Sequence, residues 1–428
     1  MQRRECFSVP ERVALSVALA LMLLLAGAWS GAKFKVLHRF YAGKNNDGGL
    51  YGSLTLDGTG NLYGETWGGG AYGYGTVFEL SASAGEHWKK KVLHSFDWRA
   101  DGNAPYSGLL FDAVGNLYGT TSSNGPNHAG AAFELSPGSD HWTETKLYSF
   151  CSVSQCTDGS GPRAGLIPDH RGNFYGTTYG GGAYGEGAVF ELTPITGGWD
   201  ENVLLSFCHD ITPCTDGDGA YAGLAWDSAG NLYGTTEYGG KGIGGDWGTA
   251  YELERQSDGT WKHILLHSFP GSANDGKLVY GGLVLDKSGS LYGTTVQGGG
   301  QGCGGAGCGT VYKLTRTDKG WSETVLYNFA DPKNGAGPSS SLTFDQYGNL
   351  WGTAGGGTGQ CEGGCGVVFK MKPGTGGKWS YRVVHGFTGN DGAYPAASVV
   401  FDSKGDLYGT TELGGGGTSV GVVYEITP

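Results

Sequence analysis

The sequence predicts an all-β fold, a seven-bladed β-propeller with four antiparallel strands per blade, and three observations lead there. First, one block recurs seven times at a period of 55 to 59 residues, marked by an apolar strand ending in Asp57, Asp112, Asp169, Asp227, Asp286, Asp345 or Asp402. A period of that length is the mark of a radial array rather than of unrelated domains. Second, the segments between turn residues are four to eight residues long and rich in aromatic and branched side chains, and helical periodicity is sustained nowhere. Third, the 85 glycines of the 428 residues fall at fixed repeat positions beside regularly placed aromatics, which disordered low-complexity chains lack.

Taken in order, the chain opens with Arg3, Arg4 and Arg12, then an apolar or small-residue run from Val13 to Trp29, then Ser30, Gly31 and Ala32. That is the pattern of an export signal over residues 1–32, cleaved after Ala32, with one propeller domain over 33–428. The alternative is an uncleaved anchor, since 17 residues is close to the lower limit for a spanning helix. No second apolar span follows, and the chain stops at Pro428 directly after a strand, so no C-terminal anchor is expected. A secreted or extracytoplasmic location follows from this reading.

In the second repeat the strands fall at Gly108 to Asp112, Asn116 to Thr121, Ala131 to Leu135 and Thr145 to Phe150. The first turn holds a Gly in every copy, from Gly60 to Gly405, where a tight hairpin needs positive φ. The second strand carries an aromatic followed by Gly, from Tyr63-Gly64 to Tyr408-Gly409, which marks close approach of another group. Six copies place a Trp just ahead of the fourth strand: Trp88, Trp142, Trp199, Trp261, Trp321 and Trp379. Aromatics at repeat spacing read as packing between blades. Phe34 to Phe40 matches a fourth strand and Val422 to Ile426 a third, so the N-terminal strand is expected to complete the last blade. Pairing the two chain ends removes two open sheet edges.

Apart from Cys6 in the leader, the cysteines form four tight pairs: Cys151 with Cys156, Cys208 with Cys214, Cys303 with Cys308, and Cys361 with Cys365. An even count in an exported chain points to disulfides, and no pair has a His at metal-site spacing. The first two pairs lie between blades and the others between strands two and three, connections that emerge on the same end of a propeller. That face also carries the long variable loops, so it is the candidate binding face, with Trp67, Tyr72, Tyr179, Tyr184, Tyr238 and Trp247 as candidate binding residues.

No catalytic or metal-ligating set stands out. The recurrent Asp-Gly of the connections (Asp47, Asp101, Asp158, Asp216, Asp275, Asp391, with Asn334 in the remaining copy) reads as a turn in which Asp bonds its own backbone. Ca²⁺ at Asp216 and Asp218 is the one cofactor left open, although the further ligands of a calcium loop are missing. His38, His94, His267 and His385 share a place that other copies fill with Tyr148, Leu205 and Tyr327, which is unlike a common catalytic base. Glu79, Glu134, Glu191, Glu252 and Glu425 alternate with Lys313 and Lys370, a sign reversal expected of a partly solvated strand surface. The whole chain carries a net charge of −12, which disfavours nucleic acid as a partner.

Asp-Ala-Val-Gly-Asn-Leu-Tyr-Gly-Thr-Thr (112 to 121) and Asp-Ser-Ala-Gly-Asn-Leu-Tyr-Gly-Thr-Thr (227 to 236), each followed by a glycine-rich loop and Phe-Glu-Leu or Tyr-Glu-Leu, resemble the bacterial tandem repeat called GloVer, the Gloeobacter and Verrucomicrobia repeat. The resemblance covers the mature chain and implies an exported protein, often surface-anchored; it brings no activity and no catalytic residues. The expectation is a monomeric secreted or cell-surface binding module for a polysaccharide or a surface protein, without a membrane contact beyond the leader. The alternatives are a propeller enzyme, a polysaccharide lyase or hydrolase, and a structural surface-layer component. An enzyme should break the repeat symmetry at clustered polar positions along the channel; a binder should expose loop aromatics.

Overall fold

The computed structural model describes residues 31–42, 48–83, 87–210, 214–241, 247–272 and 275–428. Asp47 and the segment expected from sequence to be an export leader lie outside the described residues, apart from Gly31 and Ala32 at the end of that segment. Seven four-stranded antiparallel sheets form the ring, each with its strands paired in succession from the axis outward. Blade one consists of Thr55–Leu56, Leu62–Thr66, Thr76–Ser83 and His87–Ser95. Blades two to six repeat this order as far as Trp379–Gly386. Blade seven combines Val400–Phe401, Leu407–Thr411 and Ser419–Thr427 with Lys33–Tyr41, in the register Lys33 to Thr427 and Tyr41 to Ser419. The N-terminal strand thus closes the ring as expected.

The innermost strands are only two residues long because neighbouring blades crowd the axis; a Cβ on Gly165 would lie 2.7 Å from the Gly108 carbonyl oxygen. In the first turn, Asp57 Oδ1 accepts the backbone N–H of Thr59 and of Asn61, while Tyr63 donates its hydroxyl to Oδ2 at 3.2 Å. Gly60 has φ +91° with open space around it, so backbone conformation alone requires glycine there. The strand glycine has another cause. A Cβ on Gly64 would stand 2.7 Å from Phe78 Cζ, so the close approach comes from the third-strand aromatic of the same sheet.

Blades adhere through seven apolar cores, each built from two neighbours. A buried Phe at the end of each fourth strand or just beyond it packs tilted or edge-on against the third-strand ring of the next blade, from Phe40 on Phe78 at 5.0 Å to Phe387 on Tyr424 at 5.3 Å. The fourth strands start earlier than the sequence suggested: Trp142 opens Trp142–Ser149 instead of preceding it. These tryptophans are half-buried and reach back across the blade interface, as Trp321 does to Tyr233 at 6.2 Å. Glu252 departs from the solvated surface expected of its position, being fully buried with one oxygen accepting from the Tyr233 hydroxyl at 3.0 Å. Lys313 and Lys370 instead place their ammonium groups over the rings of Tyr292 and Trp351.

Candidate functional site

Blade-to-blade connections and the loops between strands two and three meet on one face. Bridges such as Asn103 to Ser123, Ser160 to Gly180 and Asp218 to Tyr238 tie the two kinds of segment together. All four disulfides form as the sequence pairs them, Cys151–Cys156, Cys208–Cys214, Cys303–Cys308 and Cys361–Cys365. The Asp-Gly carboxylates cap this face in a way the sequence had not suggested. They accept backbone N–H groups from upstream residues, as Asp101 does from Asp97 at 2.7 Å, and they meet the recurring histidine, as at His94 Nε2 to Asp101 Oδ2, 2.6 Å. Asp216 accepts from the backbone of Cys208 and His209 through its two oxygens, which commits them to the loop.

At the centre of this face lies the mouth of the axial channel, a cavity of about 240 Å³ lined by all seven blades. The residue six places ahead of each strand-ending Asp points to it, and around the ring it reads Tyr51, Tyr106, Arg163, Tyr221, Tyr280, Ser339 and Ala396. Five consecutive blades therefore form a crescent of four tyrosines and one arginine, and two blades leave a gap. Tyr51 packs edge-on to Tyr106 at 5.2 Å, and Tyr221 stacks on Tyr280 at 5.1 Å. The Arg163 guanidinium lies 3.9 Å from the Tyr179 ring centre and 5.1 Å from that of Tyr221. It forms no ion pair with a carboxylate among the described residues.

Two acceptors complete the rim. Tyr280 donates to Glu237 Oε1 at 2.9 Å, and Tyr51 donates to Glu412 Oε1. Burial, followed by Glu237, pushes the Tyr179 hydroxyl up to about 12, and burial likewise raises Tyr51, Tyr221 and Tyr280. All four stay protonated at neutral pH, and Tyr51 and Tyr280 act as neutral donors. Beneath the rim the repeat is broken once more. Six blades carry a threonine after the strand glycine, whose hydroxyl donates to a carbonyl of the next blade, as Thr177 does to Ala222 at 2.9 Å. Blade one has Glu65, 1% exposed, bonded to the channel-lining Ser107 at 3.2 Å and with Oε1 unpartnered. Burial holds this carboxyl well above the usual range.

Of the six aromatics singled out from sequence, two border the mouth: Trp67, 44% exposed and 6.3 Å from Tyr51, and Tyr179 beneath Arg163. Tyr238 stands next to Glu237 in the chain, and a hydrogen bond to that carboxylate, then burial, raises its hydroxyl pKa. Trp247 faces Lys277 at 5.0 Å, between blades four and five. Tyr72 and Tyr184 are exposed on loop tips whose neighbouring residues, Ala71 and Ala183, donate backbone N–H groups to outer-strand Ser95 and Ser206, away from the axis. The six do not converge. Sequence reasoning missed Tyr51, Tyr106, Arg163, Tyr221 and Tyr280, although their fixed offset from the repeat Asp was a readable signal. The opposite face holds roomier clefts, such as one of about 700 Å³ between blades five and six, lined by the Asp turns and by Phe344, Tyr347 and Trp379.

Solved propellers share this ring. An ulvan lyase of polysaccharide lyase family 25 is 11% identical with a TM-score of 0.55, the match covering 91% of this chain and 94% of the lyase. PorZ, a surface component of the type IX secretion system of Porphyromonas gingivalis, is 14% identical with a TM-score of 0.52; the match covers 90% of this chain and 47% of PorZ, so the chain spans about half the length of that protein. At such identity the likeness concerns the fold alone. No curated protein matches the chain by sequence. The sequence profile of the Gloeobacter/Verrucomicrobia repeat matches residues 28–245 and 220–428, so the chain belongs to that repeat family.

Proposed function

We propose that the protein is an extracytoplasmic binding module that takes a polysaccharide chain at the axial mouth of its disulfide-bearing face. The observation that carries the reading is the crescent of four tyrosines and Arg163 at one equivalent position in consecutive blades. Tyrosine offers a flat apolar face for the C–H side of a sugar ring and a hydroxyl for its oxygens, with little side-chain entropy to lose. Glu237 and Glu412 add acceptors at the rim. Arg163, stacked on tyrosine and without a carboxylate partner among the described residues, suits an acidic substituent, carboxylate or sulfate, on the glycan. The gap at Ser339 and Ala396 gives an extended chain a way out across blades six and seven. Four disulfides fit an oxidising compartment outside the cytoplasm.

A glycan-array screen of the mature chain, followed by calorimetry of the best ligand, tests the reading. Arg163→Ala and Tyr280→Phe should each weaken binding by about tenfold or more while leaving the melting temperature almost unchanged, as expected of contact residues. Unchanged affinity in both variants, or selective capture of a protein with no glycan bound, refutes it. A second reading is an enzyme that cuts the polysaccharide, and Glu65 favours it as a carboxyl of raised pKa next to the channel-lining Ser107. Its burial argues the other way, because a carboxyl sealed from the channel touches no substrate. New reducing ends released from an acidic polysaccharide would decide for the enzyme.

A further inference from the structure

Where blades four and five meet, three ligand-type side chains from two consecutive blades and the connection between them converge. His267 is the penultimate residue of the outer strand Trp261–Ser268, Asp275 belongs to the connection that follows, and Glu323 lies in the next outer strand, Gly320–Asn328. His267 Nε2 is 3.2 Å from Asp275 Oδ2, and one ligand atom of each of the three lies within 4.8 Å of the others. Glu323 Oε1 is closed off from solvent and has no hydrogen-bond partner. Two carboxyl groups thus meet beside the imidazole, an arrangement that a cation between them would balance.

We propose that His267, Asp275 and Glu323 bind a divalent transition-metal ion, zinc in the first instance, which clips the outer strand of blade four to that of blade five. One imidazole nitrogen and two carboxylate oxygens form a donor set that suits zinc, whereas calcium takes six or more oxygens. The two carboxylates balance the charge of the ion. Ligand atoms at zinc distances in a tetrahedral site stand about 3.3 Å apart, so the His267–Asp275 pair is already in place and Glu323 closes by less than about 1.5 Å through its side-chain torsions. The eight cysteines of the described residues are all in disulfides and offer no rival thiolates. His94, Asp101 and Glu144 repeat the residue types between blades one and two, but among the described residues only the His267 set draws its three atoms this close.

The test uses tag-free mature protein stripped with EDTA and titrated with zinc chloride by calorimetry and by thermal melts. One equivalent should bind and raise the melting temperature, since a ligand that binds only the folded state stabilises it. His267→Tyr, which copies Tyr148 and Tyr327 of other blades, and Glu323→Gln should keep the β-sheet circular dichroism spectrum. Each should lower zinc affinity by about tenfold or more, because even changes behind the ligands commonly cost that much. His94→Tyr should leave the titration unchanged. Absence of saturable zinc uptake by the wild type overturns the proposal, as does uptake that survives in both His267→Tyr and Glu323→Gln or is lost in His94→Tyr alone.

Discussion

Glu65 stands where six other blades place a threonine, and the exchange alters both a hydrogen bond and a proton balance. Threonine at this place donates across the blade seam, as Thr120 does to Ala164 at 3.0 Å. Burial raises the Glu65 carboxyl above its ordinary value of 4.5, so the native state holds this proton to higher pH than the unfolded chain does. Stability therefore falls as pH rises from that value toward the folded pKa, and the contribution is constant below it. Glu65→Thr should remove this part of the pH slope and restore the seam bond, gaining roughly 1–2 kcal/mol at pH 8 and less at pH 4. Melting temperatures of both proteins from pH 4 to 8 check this; parallel curves would mean that Glu65 does not hold the proton. Two tryptophans should divide in the same experiment. Trp67, exposed beside Tyr51, should on replacement by Ala weaken ligand binding and leave stability alone. Trp142→Ala should cost roughly 2–3 kcal/mol, below the 3–5 of a fully buried tryptophan, because Trp142 packs only half-buried against the core between blades one and two.

Strands and loops divide the labour of the ring. Lys33–Tyr41 supplies the whole outer edge of blade seven, pairing with Ser419–Thr427 from end to end. Its removal would bare a long, flat strand edge and the rings of Phe387 and Tyr424, which it covers through Phe34. A chain beginning at residue 48 should therefore self-associate or fail to fold cooperatively, as light scattering and circular dichroism would show; a stable monomer with the wild-type melting temperature would contradict the pairing. The disulfides act on another scale. Each spans a sequence separation of 4 to 6, so the loop entropy it removes is worth at most about 2 kcal/mol. Reduction should leave the sheet spectrum intact at 25 °C while amides around 151–159 and 303–308 exchange faster in hydrogen-exchange mass spectrometry. Loss of the sheet signal on reduction would show that the bonds hold the ring itself.

For the whole molecule, the seven-fold architecture was legible because each blade repeats a short local code: the Asp cap of Asp57, the φ of Gly60, and the glycine that admits Phe78. Ring closure was legible from the match between Phe34–Phe40 and the other fourth strands. Strand ends were less so, because Trp142 carries no turn signal to mark where the fourth strand begins. The mouth escaped notice for the opposite reason to disorder. Tyr51, Tyr106, Arg163, Tyr221 and Tyr280 belong to five different repeats and become neighbours only when the sheets are arranged around the axis. His267 and Asp275 are a local pair repeated at His94–Asp101 and His385–Asp391, but Glu323 joins them only across a blade seam. One consequence of the closing strand concerns time. Lys33–Tyr41 is made well before its partner, Ser419–Thr427. At about 5–20 residues per second, the interval between them is on the order of 20–80 s. Blades one to six can dock as they emerge, but throughout that wait the earliest strand is single and the circle has a seam. Closure of the ring is therefore a kinetic checkpoint, which waits until an early strand meets a partner made much later.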